Sequence, residues 1–173
     1  MATLVLTVIG DDRSGLVSAL SGVIAQHGGS WERSQMARLA GKFAGIVLVA
    51  VPDDRADALV QALGPLSADG LLDVTAGRGH HTDDPSASTR LSLELVGADR
   101  PGIVHDITRV LAAHHVSIEE LHTDTRPAPM SGDMLFEARA TMVAPHSVPI
   151  DELRAVLEAL ADELMVDIAL STD

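Results

Sequence analysis

The chain of 173 residues contains no cysteine and no tyrosine, and its aromatic residues are Trp31, Phe43 and Phe136. Without cysteine, the protein has no disulfide bonds, no thiol nucleophile and no cysteine-ligated zinc. Three aromatic side chains are too few for a platform on which nucleic-acid bases stack. No run approaches the ~18 consecutive apolar residues of a membrane span, and no basic segment precedes the short apolar run near the N-terminus, as a signal peptide would need. We therefore expect a cytoplasmic protein with no membrane segment.

Positive charge is also scarce, because 12 basic residues stand against 25 acidic ones and give a net charge of −13. Such a charge repels phosphate backbones, and no lysine or arginine cluster offsets it. We therefore expect no direct contact with nucleic acid. Hydrophobic residues make up 46% of the chain, which is enough for a packed core.

The chain contains an internal duplication. When the sequence is shifted by 87 positions, residues 4–36 align without a gap on residues 91–123, and twelve of these thirty-three pairs are identical. The identical pairs include the glycine, aspartate and arginine residues of a short polar turn, "GDDRSG" in the first copy and "GADRPG" in the second. A repeat of this length predicts two copies of one structural unit.

Each copy predicts the order βαββαβ. Leu4–Ile9 and Leu91–Val96 have strand patterns, and helical spacing of aliphatic residues follows each of them. Two further strands, a second amphipathic helix and a last strand complete each copy. We predict an α+β protein of two ferredoxin-like units in tandem, in which the first and third strands are central and the helices cover one face.

A polar stretch rich in glycine, proline and serine separates the copies, and it has the composition of a linker. We place the first domain at residues 1–77, the linker at 78–89 and the second domain at 90–173.

A strand followed by D-R-x-G and a helix, within a βαββαβ unit of about 80 residues, resembles the ACT domain. Two such units with nothing else attached resemble the glycine cleavage system transcriptional repressor family. The D-R-P-G turn at Asp99–Gly102 and the stretch "HHVSIEELHTDTRPAP" that starts at His114 are similar to that family's second repeat. The resemblance covers nearly the whole chain.

The chemistry of the repeated turn suits an amino acid. Gly15 and Gly102 lack a Cβ, so backbone or ligand can approach closely. Pro101 suits a first helical position, and the free N–H groups of a first helical turn favour an anion. Asp12 or Asp99 either caps the helix or meets an ammonium group. The structural role of Asp and Gly in such a turn is an alternative that needs no ligand.

The resemblance implies that a small amino acid binds near this turn, at an interface between two domains. The family often carries asparagine at the start of the second strand, where this chain has Ser30 and Ser117. Arg13 and Arg100 either pair with the ligand carboxylate or form surface ion pairs. Trp31 is either a core residue or part of a pocket rim. The candidate ligand-binding residues are Asp12, Arg13, Ser14, Gly15, Leu16, Val17 and Ser30 in the first unit, and Asp99, Arg100, Pro101, Gly102, Ile103, Val104 and Ser117 in the second.

The eight histidines do not have the spacing of a metal site. His80 and His81 lie in the linker near Asp83 and Asp84, whereas His27 and His114 match in the repeat and suit helix ends. No nucleophile elbow, phosphate-binding loop or dinucleotide motif is present. We therefore expect no catalytic residues, no metal, no cofactor and no enzymatic activity.

One face differs between the two copies. In the second unit, Ser92 and Glu94 share a face of the first strand, and Glu137 and Arg139 share a face of the third, with Glu94 placed to pair with Arg139. The first unit has Val5, Thr7, Ile46 and Leu48 in the matching places. An apolar face of this kind rarely stays exposed in a monomer. We predict that a second copy of the chain or another protein covers it; packing on the second unit, or simple tolerance, is the alternative.

Together these features predict a regulatory protein that senses a small amino acid, with glycine or serine as first choices. The family resemblance implies repression of glycine cleavage genes through a protein partner such as a transcription activator, and we expect a homodimer. The alternatives are an interaction scaffold whose sites are empty, and an accessory regulatory subunit of a metabolic enzyme.

Overall fold

The computed structural model describes residues 1–80 and 87–173, and the chain divides into two units with a boundary between residues 82 and 83. Most of the linker that we predicted at 78–89, with its His81, Asp83 and Asp84, lies outside the described residues. The last strand of the first unit ends at Arg78 and the first strand of the second begins at Ser88. The proposed domain boundaries therefore stay a prediction.

The predicted order βαββαβ is confirmed in both units. The first unit contains β1 (Ala2–Asp11), α1 (Leu16–Gln26), β2 (Ser30–Leu39), β3 (Lys42–Val51), a 3-10 turn (Asp53–Arg55), α2 (Ala56–Ala68) and β4 (Asp73–Arg78). The second contains β5 (Ser88–Ala98), α3 (Ile103–Ala113), β6 (Ser117–Pro127), β7 (Met134–Pro145), α4 (Ile150–Leu164) and β8 (Val166–Thr172). None of these helices is long and apolar enough to cross a membrane.

Each unit has one antiparallel sheet of four strands, in the orders β2-β3-β1-β4 and β6-β7-β5-β8. The first and third strands of each unit are central, as predicted. The α+β fold with two ferredoxin-like units is confirmed.

Alternating side chains place the core of the first unit on one face of its sheet. Leu4, Leu6 and Val8 lie at most 3% exposed, and they pack with Val47 and Val49 of β3. Leu16, Leu20 and Ile24 recur every four residues on α1 and bury their side chains in the same core, as a helix that packs on a sheet requires. The second unit repeats this arrangement with β5, β7, α3 and α4. Each sheet therefore has an inner face under its helices and an outer face without helices.

The connection between β6 and β7 is shorter than the sequence suggests. The prolines and the glycine of the segment Thr125–Met134 have the composition of a loop, but Pro127 pairs with Met134, and the Ala128 N–H donates to the Asp133 carbonyl at 2.7 Å. Because β6 is an edge strand, it accommodates a proline without losing a hydrogen bond inside the sheet. Pro127 therefore belongs to the ladder, although proline generally interrupts one.

Candidate functional site

The repeated turn connects the first strand of each unit to its first helix, and its last glycine has a left-handed backbone. Gly15 has φ 89° and ψ 0°, and Gly102 has φ 92° and ψ −3°. These values match the third position of a type II turn, where glycine avoids a steric penalty. A Cβ built on Gly15 would meet nothing within 4 Å. Backbone conformation therefore requires this glycine, and no neighbouring protein group occupies the space above it.

Pro101 lies in the turn and not at the first position of the helix. The helix α3 begins at Ile103, with Gly102 at its N-cap, so our expectation for Pro101 is wrong by two residues. A proline directly before a glycine with these dihedral angles suits the second position of a type II turn. Ser14 holds the equivalent place in the first unit.

The first glycine of each turn has a packing role that sequence reasoning missed. A Cβ on Gly10 would lie 2.4 Å from the Leu71 carbonyl oxygen, and a Cβ on Gly97 would lie 2.3 Å from Cγ1 of Val166. Leu71 lies just before β4, and Val166 is the first residue of β8, so both contacts come from the start of the last strand of the unit. The aligned repeats both have glycine at this position, which indicated that it matters. The reason for the glycine is a tertiary contact, which the sequence does not reveal.

The two aspartates of the motif do not cap their helices, because neither α1 nor α3 has a side-chain hydrogen bond at its N-cap. The Asp12 carboxylate instead lies 3.3 Å from Nη1 of Arg38 on β2. The backbone N–H of Asp12 donates to the Gly41 carbonyl, and the backbone N–H of Asp99 donates to the Met134 carbonyl. These backbone bonds hold each turn against the hairpin that ends beside it.

The two motif arginines contact other parts of their own units. Arg13 donates to the Gly70 carbonyl at 2.7 Å and so connects the turn to the loop between α2 and β4. Arg100 lies 3.9 Å from the Asp106 carboxylate. These contacts match the interpretation of the arginines as surface partners within the protein.

A cavity of about 130 Å³ lies beside the turn of the first unit. It is lined by Ile9, Gly10, Asp11 and Lys42 and by residues 70–73 of the loop that Arg13 contacts. Lys42 donates a hydrogen bond to Asp11, and this bond and the lysine charge hold the pKa of Asp11 below its usual value. The cavity therefore presents charges of both signs beside the start of the turn.

The turn of the second unit has a carboxylate of its own. Asp106 lies in the first turn of α3, and its Oδ2 is 3.9 Å from the position of a Cβ on Gly102. The matching residue of α1 is Ala19, and the first turn of α1 contains no acidic residue. The two turns therefore share a backbone, but only the second has a carboxylate in the first turn of its helix. Sequence reasoning missed Asp106 because it lies one helical turn beyond the motif.

Ser30 and Ser117 lie at the opposite end of their sheets from the turns. Ser30 pairs with Ala50, which pairs with Thr3, whereas the turn follows Asp11. Eight residues of extended strand between Thr3 and Asp11 span about 26 Å. The register of Ser117 is equivalent in the second unit. A single unit therefore does not bring its serine and its turn together.

The other candidates are divided between core and surface. The side chains of Leu16 and Ile103 are 3% and 2% exposed, so only their backbone groups remain for a ligand. Val17 and Val104 are 44% and 40% exposed. Trp31 is half-buried and packs against the core of the first unit, as the core interpretation predicts.

The matched histidines have the helix-end role that the repeat indicated. Nδ1 of His27 is 2.8 Å from the Val23 carbonyl, and Nδ1 of His114 is 2.8 Å from the Val110 carbonyl. Because a carbonyl only accepts, each ring nitrogen donates. Within residues 1–80 and 87–173, no three histidine or acidic side chains lie close enough to hold a metal ion.

Comparison with known proteins agrees with this geometry. Residues 2–76 and residues 91–164 each match the ACT domain. The chain belongs to the ACT-domain family. It is 27% identical over 162 residues to the glycine cleavage system transcriptional repressor of Escherichia coli, a match that covers 93% of this chain and 85% of the repressor. The predicted resemblance of this tandem ACT protein to that repressor family is confirmed.

Two further proteins are similar to this chain. A crystal structure of an unknown protein from Galdieria sulphuraria is 32% identical, has a TM-score of 0.88 and covers 99% of this chain and 98% of its own. A UPF0237 protein of Methanopyrus kandleri is 34% identical over 80 residues, which are 46% of this chain and 83% of that protein. The tandem arrangement is therefore found in another solved structure.

Proposed function

We propose that this tandem ACT protein is a non-enzymatic, cytoplasmic sensor of a small amino acid that regulates glycine cleavage genes through a protein partner. The observation that carries this proposal is the similarity to the Escherichia coli repressor, which spans both ACT units and nearly the whole chain. The net charge of −13 favours a protein partner, such as a transcription activator, over direct contact with nucleic acid.

The turn of the first unit is the proposed ligand site. The carboxylate of an amino acid would accept hydrogen bonds from the first N–H groups of α1, above the open side of Gly15. Its ammonium group would lie toward the cavity that contains Asp11 and Asp73. Glycine and serine are the proposed ligands, because the site is a tight turn beside a small polar cavity.

The turn of the second unit is the weaker site in this proposal. The Asp106 carboxylate lies where it would repel the carboxylate of a ligand, and it also pairs with Arg100. We therefore propose that one chain binds one amino acid, at the first turn.

A specific observation favours the scaffold as a second candidate. Arg13 and Asp12 both have partners within the chain, so the turn of the first unit is satisfied without a ligand. A scaffold would keep the ACT fold and its protein contacts and would bind no amino acid.

Thermal unfolding in the presence of each of the twenty amino acids separates the two candidates. A ligand at ~100 times its dissociation constant adds ~2.7 kcal/mol of stability, which corresponds to an increase of about 5–10 °C in Tm for a chain of this size that melts as one unit. We expect this increase with glycine or serine only. No shift with any amino acid at millimolar concentration would contradict sensing and support the scaffold.

The protein partner requires a separate experiment. Tagged protein from a native extract, captured with and without the amino acid that shifts Tm, should retain a transcription activator. Recovery of a metabolic enzyme instead would support the role of accessory subunit.

A further inference from the structure

The outer face of the first sheet is defined here as the surface of β1–β4 that points away from α1 and α2. The strand register places Val5, Thr7 and Ile9 of β1 on this face, opposite Leu48, Ile46 and Ala44 of β3. Ile46 is 53% exposed and Ile9 is 47% exposed. Along these two central strands, no residue that points outward between Thr3 and Ile9 or between Ala44 and Ala50 is charged.

The equivalent face of the second unit is charged and hydrated. Glu94 pairs with Arg139 across the strands at 3.8 Å, which confirms the predicted pair. The two side chains are 66% and 79% exposed. Thr7 and Ile46 occupy the same register positions in the first sheet. At this face the second unit therefore has charged side chains where the first unit has uncharged ones.

We propose that the outer face of the first sheet binds the same face of a second copy of the chain, with the two sheets packed face to face about a twofold axis. The distribution of charge favours a second copy as the occupant. Residues 1–80 carry six basic and eight acidic side chains, whereas residues 87–173 carry six and 15. Contact between two first units brings nearly neutral surfaces together, whereas contact through the second units meets strong like-charge repulsion.

The area of the face is sufficient for a dimer. Four strands about 4.8 Å apart and about nine residues long make a face of roughly 550 Å², in which the edge strands add Arg33, opposite Leu48, and Asp73, opposite Ile9, around the uncharged centre. Two such faces bury roughly 1,100 Å², which exceeds the ~1,000 Å² expected of a specific interface. An isologous contact needs one self-complementary patch, and the small and aliphatic side chains of the central strands interdigitate as in a β-sandwich.

The experiment measures the mass of the full chain in solution by sedimentation equilibrium over a wide concentration range. We expect the wild type at twice the 18.1 kDa chain mass and Ile46→Glu at the mass of one chain. Arg139→Glu is the matched control, because it changes the equivalent position of the second unit, and it should remain a dimer. Thr7→Lys gives a second test on β1, and circular dichroism establishes that each variant is folded.

The absence of cysteine from the chain allows a direct test of the geometry. Ile46→Cys and Thr7→Cys each introduce a unique thiol on the outer face, and a short bis-maleimide should link two chains through them. Arg139→Cys should not cross-link. A wild type with the mass of a single chain at every concentration, a folded Ile46→Glu variant that remains a dimer, or an Ile46→Cys variant that cross-links no better than Arg139→Cys would overturn the proposal. Neither result depends on whether an amino acid binds.

Discussion

Moving one negative charge between the two turns should control amino-acid binding. Ala19→Asp gives α1 the carboxylate that Asp106 supplies to α3, at the equivalent helical position. Oδ2 of Asp106 lies 3.9 Å from the position of a Cβ on Gly102, so a carboxylate at position 19 would lie about 4 Å from a ligand carboxylate that occupies the equivalent space above Gly15. At that distance the repulsion is about 1 kcal/mol in water and about 4 kcal/mol near a protein surface. The dissociation constant should therefore rise by a factor of between about 5 and several hundred.

The fold should tolerate this substitution, since a carboxylate in the first turn of a helix contributes about 0.3–1 kcal/mol of stability. Isothermal titration of the amino acid that shifts Tm measures the change in affinity. Ala19→Asn is the control for size and polarity, and it should bind nearly as the wild type does. Asp106→Asn should allow a second molecule to bind in the second unit.

Equal loss of binding in Ala19→Asp and Ala19→Asn would refute the electrostatic reasoning, because the two side chains have the same shape. Unchanged binding in Ala19→Asp would place the ligand away from the first turn altogether.

Two further substitutions test packing and charge. Gly97→Ala should lower the free energy of unfolding, measured by urea denaturation, by about 1–3 kcal/mol, because its Cβ would lie 2.3 Å from Val166 Cγ1. Gly64→Ala in the helix α2 should raise the free energy of unfolding by about 0.5–1 kcal/mol, because its Cβ would meet nothing within 4 Å and alanine favours a helix more than glycine does. The hydrogen bond from Arg126 holds the pKa of Glu137 below the usual value of a glutamate, so Arg126→Ala should raise this pKa in an NMR titration. A carboxyl whose pKa is lower in the folded state stabilises the fold at pH values above its pKa in the unfolded state. That stability is lost as the pH falls through its pKa in the folded state. An unchanged Glu137 pKa in the variant, or equal effects of the two glycine substitutions, would contradict these expectations.

The order of elements was predictable because it depends on the spacing of residues along the chain. Leu16, Leu20 and Ile24 show the period of a helix, and the alternation in β1 shows the period of a strand. The same spacing recurs 87 residues later in the second copy, which supports each of these assignments independently.

The site was only partly predictable because its details depend on contacts between distant segments. The close approach of Leu71 to Gly10 and the bond from Arg13 to the Gly70 carbonyl join residues more than fifty positions apart. Asp106 lies four residues beyond the motif, and it reaches the turn only because a helix brings residues four apart onto one face. Comparing position 19 with position 106 in the aligned repeats would have found it.

The two units differ at positions that the shared fold leaves unconstrained. Core positions are aliphatic in both because packing requires it. The last glycine of each turn is required by its backbone angles, and the first glycine by its close packing. At three surface positions the first unit has Ala19, Thr7 and Ile46 where the second has Asp106, Glu94 and Arg139. Each difference removes a charge from the first unit, and a surface without charge is the cheaper one to take out of water. The first unit is therefore suited to contact with an amino acid and a second chain. The strong negative charge of the second unit would oppose further association, so the proposed assembly through the first unit would stop at a closed dimer.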